Sequence, residues 1–272
     1  MNLSVVIPTY NRCQALALTL QHLSLQNYPF DDFEVCVVDD GSQDNTQQVL
    51  QDYADRLPLV ALRQSQSGTS VARNQAILAA CGRHILFMDD DVLVPPDFLR
   101  RHAYLLARHP GKLIRGPVIN VEQPLLPPLP TPKLSWRHYS RNYLCTSNAS
   151  LERRLLLSAG LFDPDFGRWE DAELGVRLKA LRVARHFDSA TFVYHWKPAL
   201  TSAQRLEVAA KDGRAAAQLY RRYPSLKMWL RSGLGFYNRW RNRFLRLFPG
   251  PWRTALEIEA AYLDAGCREL RS

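Results

Sequence analysis

The 272-residue chain has no long hydrophobic run; nothing in it approaches the roughly 18 to 20 apolar residues that cross a bilayer as a helix. Its first residues, Met1-Asn2-Leu3-Ser4, pass straight into a strand-like pattern without the basic start and apolar core of a secretory signal. Both absences predict a cytoplasmic protein. The five cysteines, Cys13, Cys36, Cys81, Cys145 and Cys267, are odd in number and dispersed. That spacing excludes a disulfide framework and a zinc-type cluster, and predicts reduced thiols. A glycine-rich, basic phosphate loop after the first strand is also missing, and Pro8-Thr9-Tyr10-Asn11-Arg12 stands in its place. What remains is globular in composition, 46% hydrophobic and 22% charged. The length suits one large domain with an appendage.

Basicity is present but local. The formal net charge is +9, and residues 205–246 alone hold eleven Lys and Arg against Glu207 and Asp212. The rest of the chain is balanced, so the charge belongs to the tail and no nucleic-acid partner is expected.

Residues 3–7 form an apolar β-type run, with Asn11 placed to cap a helix that carries Leu16, Leu20 and Leu23. The unit recurs as a strand over 33–38, the turn Asp39-Asp40-Gly41-Ser42, and a helix over 44–53 with Val49, Leu50 and Tyr53 inward. A third strand covers 59–62, and Ser70 caps a helix with Val71, Ile77 and Leu78 on one face. Ile85 to Met88 is apolar throughout, as a strand buried on both faces must be. This alternation predicts an α/β fold with a doubly wound, mostly parallel sheet, whose ligands bind beyond the carboxyl ends of the strands. Beyond it the pattern predicts a helix from Pro95-Pro96-Asp97 to about His109 and a strand over 112–118. A loop punctuated by prolines from Pro124 to Pro132 and reaching Trp136 is either a lid or a stiff connector. A strand over 141–150, a short helix over 151–159, a helix from Glu170 through Leu181 and a strand over 191–194 ending at His195 complete this part.

Asp89-Asp90-Asp91 follows the apolar run at once. Three adjacent carboxylates in a core would cost several kcal/mol, so they belong where the strand leaves the sheet, and they invite a cation. Side-chain alternation points Asp89 and Asp91 the same way, and two hard oxygen ligands suit Mg2+ or Mn2+ with positions left for a phosphate. A solvated acidic turn is the alternative. Asp39 and Asp40 can accept hydrogen bonds from a base or ribose, or simply close a turn. Arg73, one turn into its helix, suits an anion or a base, or else a plain surface. Glu170, Asp171 and Glu173 crowd a helix N-terminus, where acids stabilise the dipole. Trp169 beside them can desolvate a carboxylate toward general-base duty and offer a sugar-stacking face. His195 is either a backbone partner or a third metal ligand.

Together these residues resemble the inverting family 2 glycosyltransferases, which have the GT-A fold. The resemblance is carried by Ser4-Val5-Val6-Ile7-Pro8-Thr9-Tyr10-Asn11-Arg12, Val37-Val38-Asp39-Asp40-Gly41-Ser42, Ala72-Arg73-Asn74 and Phe87-Met88-Asp89-Asp90-Asp91. It continues through the Asn148 strand, Gly160-Leu161-Phe162-Asp163 and Trp169-Glu170-Asp171-Ala172-Glu173-Leu174, in the family's order over residues 3 to about 196. It implies a catalytic domain over 1–200, with a nucleotide-binding part to about 118 and an acceptor part over 119–200, and a helical tail over 201–272. By resemblance, Pro8, Thr9, Tyr10 and Asp39 hold the nucleoside of a UDP-sugar, with Arg12, Arg73, Asp40 and Asp90 near it. Asp89 and Asp91 bind Mn2+ or Mg2+, Asp91 directly, with His195 as a further ligand. Asp171 is the general base, Glu170 positions the acceptor, and Trp169 and Asn148 line its site. The implied reaction is one displacement with inversion, in the synthesis of a cell-surface glycan or glycolipid.

Processive members of the family carry Gln-x-x-Arg-Trp and membrane spans, whereas Arg168-Trp169 and Arg239-Trp240 lack the Gln three residues earlier. Addition of one sugar or a few is therefore expected. Two other classes stay open on the residues: a nucleotidyltransferase on a similar sheet, and a non-catalytic membrane-binding scaffold that keeps a sugar-nucleotide pocket.

In the tail, a helix over 203–223 is broken at Pro224, and a second segment runs over 226–248. On a helical wheel Trp229, Tyr237, Trp240, Phe244 and Leu247 share about a quarter of the circle, with Arg231, Arg239, Arg243 and Arg246 on the remainder. That pattern suits an anionic membrane surface, at the inner face where lipid-linked acceptors reside, or a helix pair packed on the catalytic domain.

Overall fold

The computed structural model describes residues 2–135, 138–139, 142–225, 234, 238, 241–243, 246 and 253–271. They form two compact units, the first running to Asp165 and including Glu170–Pro198, the second joining Phe166–Trp169 to the residues from Ala199 onward.

The first unit opens with β1 (Leu3–Thr9), α1 (Cys13–Ser24), β2 (Phe33–Asp39), α2 (Thr46–Tyr53), β3 (Leu59–Arg63), α3 (Thr69–Ala79) and β4 (His84–Phe87). The strands pair in parallel in the order β3-β2-β1-β4. Alternation along them sorts side chains to two cores. Leu3, Val5, Ile7, Val35, Val37 and Leu86 meet Leu16, Leu20 and Leu23 of α1 and Leu50 and Tyr53 of α2. Val6, Cys36, Val38, Ile85 and Phe87 meet Ala72, Ala76 and Ile77 of α3 on the opposite face. Each Leu or Phe so buried is worth roughly 1.5–3 kcal/mol, which explains why these strands read as continuous apolar runs.

The unit continues through β5 (Val92–Leu93), α4 (Phe98–Arg108), β6 (Leu113–Arg115), β7 (Val118–Val121), β8 (Ala149–Glu152), α5 (Arg153–Ser158), α6 (Glu170–Ala180), β9 (Arg185–Phe187) and β10 (Val193–Trp196). β8 runs antiparallel between β4 and β6, completing a seven-stranded sheet of order β3-β2-β1-β4-β8-β6-β9. A separate three-stranded sheet, β5-β10-β7, lines up His195 with Val92 and Asn120.

Several local expectations need correction. Asn11 does not cap α1; it adopts a φ of 51° and its Oδ1 accepts from Gln43 N at 2.7 Å. The α1 N-terminus is served instead by Asp44 of the next βα loop, whose Oδ2 accepts from Cys13 N at 2.9 Å. Gly68, at a φ of 95°, precedes α3 in place of Ser70. The buried face of α3 includes Ala72, Arg73, Ala76 and Ile77, and leaves Leu78 57% exposed. The strand expected over 112–118 is two strands in two sheets. At Gly116 a Cβ would lie 1.9 Å from Thr191 O, and Pro117 has no N–H to continue a ladder. The strand expected over 141–150 is confined to β8, whose four residues match the four of β4 from His84↔Glu152 to Phe87↔Ala149. Its helix accordingly starts at Arg153, and His195 lies inside β10 and not at its end.

The second unit contains α7 (Ser202–Arg222) and α8 (Arg253–Arg271). Thr201 and Gln204 form a capping box at the start of α7. The two helices touch through glycine: a Cβ on Gly213 would lie 2.0 Å from Tyr262 O, and one on Gly266 2.6 Å from Gly213 O. Ala216, Ala217, Leu234 and Leu263 form a small core against which Trp169 packs. Arg168 Nε and Trp169 Nε1 both donate to Asp212 Oδ1, at 2.7 and 3.1 Å. No helix among the described residues is long and apolar enough to cross a membrane. Trp136 and the aromatic set Trp229, Tyr237, Trp240, Phe244 and Leu247 lie outside the described residues.

Candidate active site

The acidic run follows the carboxyl end of β4, with Asp89 just beyond the strand and Asp90 and Asp91 in the turn that leads into β5. Asp90 turns inward, where its Oδ2 accepts from Thr9 Oγ1 at 2.8 Å and its backbone oxygen accepts from Thr19 Oγ1 at 2.9 Å. Burial, together with the charges of Asp91 and Asp89, pushes the Asp90 carboxyl up to about 7 against the pull of Arg12 and Thr9. Asp91, which shares Arg12 with Asp90, lies with Asp89 beside His195. Ligand atoms of Asp89, Asp91 and His195 all lie within 4.8 Å of one another. Asp91 Oδ2 accepts from Arg12 Nη2 at 2.5 Å, while Oδ1 lies 2.8 Å from His195 Nε2 without a well-aligned hydrogen bond. Burial would raise the Asp91 carboxyl, but His195 and Arg12 outweigh it and hold it below the usual carboxylate range. Two carboxylates, an imidazole and a buried oxygen short of a partner are a donor set that fits Mn2+ or Mg2+.

Arg73 joins this cluster to the second acidic stretch. It is buried in α3, places Nη2 2.8 Å from Asp89 Oδ1 and Nη1 2.5 Å from Glu170 Oε1, and lies 5.5 Å from the Phe162 ring centre. A guanidinium one turn into a helix is unfavourable toward the dipole, and two carboxylates offset that cost. Next to Glu170, the half-buried Asp171 is pushed up to about 7, by desolvation first and then by the charge of Glu170, with Arg73 opposing. Glu173, by contrast, is paired to Arg177 one turn on, which gives it a structural task. The acids of the β4 end and of the α6 N-terminus therefore share one cation.

Asp39 and Asp40 are committed to loop structure. Asp39 accepts from Ser42 N at 2.8 Å and Gln47 Nε2 at 2.6 Å; Asp40 accepts from Gln64 Nε2 and Ser67 N at 2.7 Å and from Gly68 N at 2.8 Å. Beyond them lies a cavity of about 760 Å³ lined by Tyr10, Gly41, Gln43, Arg63, Gln64, Ser65 and Gln66. Pro8, within β1, lies opposite Val38.

Two residues expected at the acceptor have contacts of their own. Asn148 is fully buried, its amide donating to Pro117 O at 3.0 Å and Thr191 O at 2.7 Å with its oxygen toward His102, so it braces the backbone. Trp169 donates its Nε1–H to the carboxylate of Asp212 and packs on the helical core of the second unit. Conversely, Ser147, which donates to Asp89 Oδ2 at 2.5 Å, and the cavity residues Arg63 and Gln64 went unrecognised. Only the antiparallel insertion of β8 brings Ser147 to the acids, and no local pattern announces that insertion.

A family model described as Glycosyl transferase family 2 matches residues 4–145, just over half of the chain. The chain belongs to that family. The match takes in Asp89, Asp90 and Asp91 and stops before Glu170, Asp171 and His195. A validoxylamine A glucosyltransferase of Streptomyces hygroscopicus subsp. jinggangensis (strain 5008) is 34% identical over 219 residues, covering 65% of this chain and 51% of that protein. The chain thus spans about half the length of that curated relative. Mannosyltransferase PcManGT from Pyrobaculum calidifontis, solved with GDP-Man and Mn2+, superposes with a TM-score of 0.72 at 21% identity, over 99% of this chain and 87% of that one. S. aureus TarS 1-349 in complex with UDP superposes with a TM-score of 0.61 at 19% identity, over 100% of this chain and 91% of that one. The family 2 chain accordingly has the GT-A architecture, a mostly parallel central sheet flanked by helices, with helices at the C-terminal end.

Proposed function

We propose that the protein transfers a sugar from a nucleoside-diphosphate donor, expected to be a UDP-sugar, to an acceptor hydroxyl with inversion and without processive extrusion. The observation that carries this proposal is the Arg73 bridge, which ties Asp89 at the end of β4 to Glu170 beside Asp171. Carboxylates suited to a cation and a carboxylate whose affinity for protons is tuned near neutrality then stand about one guanidinium. Neighbours solved with UDP, UDP-GlcNAc and GDP-Man support a nucleotide-sugar donor.

Asp89, Asp91 and His195 would hold Mn2+ or Mg2+, and such a cation, when bound, offsets the negative charge that develops on the diphosphate leaving group. Tyr10 and the cavity around Arg63 and Gln64 receive the nucleoside. Asp171 takes the proton of the acceptor hydroxyl. The hydroxyl oxygen bonds to the anomeric carbon from the face opposite the nucleotide, while the carbon–oxygen bond to the diphosphate breaks and its electron pair leaves with the diphosphate. Glu170, fixed by Arg73, orients the acceptor.

On this proposal residues 1–200 are catalytic, with the nucleotide-binding part reaching about 118, and residues 201–272 are a tail. The charge excess of that tail supports a glycan or lipid-linked acceptor met at the cytoplasmic face of an anionic membrane. Release of nucleotide from a panel of sugar donors tests the proposal. The wild-type protein should release UDP from a UDP-sugar with Mn2+ and not in EDTA. Asp171→Asn should lower transfer by roughly a hundredfold or more while UDP binding stays intact. Full transfer by that variant would remove Asp171 from the mechanism.

A further inference from the structure

Arg12 stands in the segment expected to hold the nucleoside, yet its guanidinium turns the other way. Nη1 lies 3.0 Å from Asp90 Oδ1 and Nη2 2.5 Å from Asp91 Oδ2, so both terminal nitrogens face carboxylates. That engages one oxygen of Asp91 and leaves the other, Oδ1, buried, short of a well-aligned partner and 2.8 Å from His195 Nε2. A carboxylate gripped by one oxygen cannot rotate freely, so its second oxygen has a fixed aim.

The backbone that carries Arg12 is itself pinned. Asn11 N donates to Ser42 Oγ at 2.9 Å, Gln43 N donates to Asn11 Oδ1 at 2.7 Å, and Cys13 N donates to Asp44 Oδ2 at 2.9 Å. Asn11 keeps a φ of 51° within this clasp, a conformation that Asn tolerates better than most residues. The loop after β2 therefore fixes the residue that fixes Asp91. Arginine suits the task because its planar fork reaches two carboxylates at once, where a lysine reaches one as a point charge.

We propose that Arg12 is a positioning residue that orients Asp91 for a divalent cation and does not touch the donor. This role rests on the metal site proposed above. The test is Mn2+ titration followed by electron paramagnetic resonance at saturating UDP, with UDP affinity measured separately in EDTA by calorimetry. Wild type, Arg12→Met and Arg12→Lys are compared, and circular dichroism checks that each is folded. Arg12→Met should weaken Mn2+ roughly 10- to 100-fold, the range for outer partners of metal ligands, and leave UDP affinity in EDTA within about twofold. Arg12→Lys should fall between the two. Mn2+ affinity in Arg12→Met equal to or above wild type overturns the positioning role, and so does an Arg12→Met protein that loses UDP affinity in EDTA by about tenfold, the mark of a donor contact. Should Arg12→Met fail to fold, Arg12→Lys decides alone, since wild-type Mn2+ affinity there would overturn the role. Wild-type protein that binds no Mn2+ would overturn the metal site itself, and Arg12's role with it.

Discussion

Asp171 holds its proton to about 7 because burial and Glu170 outweigh Arg73. On the role proposed for Asp171, a general base must be ionised, so transfer should rise about tenfold per pH unit below that value and level off above it. Arg73→Gln removes the opposing cation and should displace the inflection of the pH–rate profile to higher pH; an unmoved inflection in a folded variant would show that Arg73 does not tune the base. At this scale the sequence was informative where chemistry follows from adjacency. Asp89 and Asp91 were expected on one side, and their ligand atoms do lie together with His195, although a turn and not an extended run brings them there; for Arg73 an anion, a base or a plain surface stood open. Which anion was not legible, since Asp89 and Glu170 lie 16 and 97 residues from Arg73 along the chain. The contacts of Asn148 and Trp169 were not legible for the same reason, because their partners Thr191 and Asp212 are remote in sequence.

Among the elements, β1, β2 and β4 could be read directly because strands buried on both faces must be apolar throughout. β9, Arg185–Phe187, escaped notice; its residues are exposed or half-exposed, as edge strands usually are. The break between β6 and β7 also went unseen, for it depends on Gly116 meeting Thr191 and on Asn148 serving the carbonyls of Pro117 and Thr191. Asn148→Ala takes the side-chain donor from the Thr191 carbonyl and leaves Pro117 O with Val193 N alone, and should cost about 1–3 kcal/mol in urea unfolding. A loss below about 0.5 kcal/mol, the level of an ordinary surface substitution, would show that Asn148 does not brace this junction.

For the molecule as a whole, the site sets a cost in stability. Asp90 and Asp171 bind protons up to about 7 when folded and release them near 4 when unfolded. Each therefore contributes stability that is full below about 4 and is lost as pH rises through about 7. His102 works in the opposite sense, its folded value driven down to about 4 by burial, so its contribution is lost as pH falls toward that value. Asp171→Asn removes one of the acidic contributions. It should stabilise the metal-free protein by about 1–2 kcal/mol at pH 8, after allowance for solvent at a half-buried site, and give little at pH 5. Equal gains at both values would contradict the raised affinity of Asp171 for its proton. Nothing in the sequence singled out α8, whose contact with α7 depends on Gly213 and Gly266 lying face to face. The reversed direction of β8 has a consequence for diversification. Val121 pairs with Trp196, next to His195, and after the buried Leu144 the chain is back at the acids by Ser147, on Asp89. With both attachment points secured beside prospective cation ligands, residues 122–135, held through the carbonyls of Leu125 and Pro130, have room to vary in sequence while every strand register stays as it is, and on the function proposed above that variation would alter the acceptors admitted.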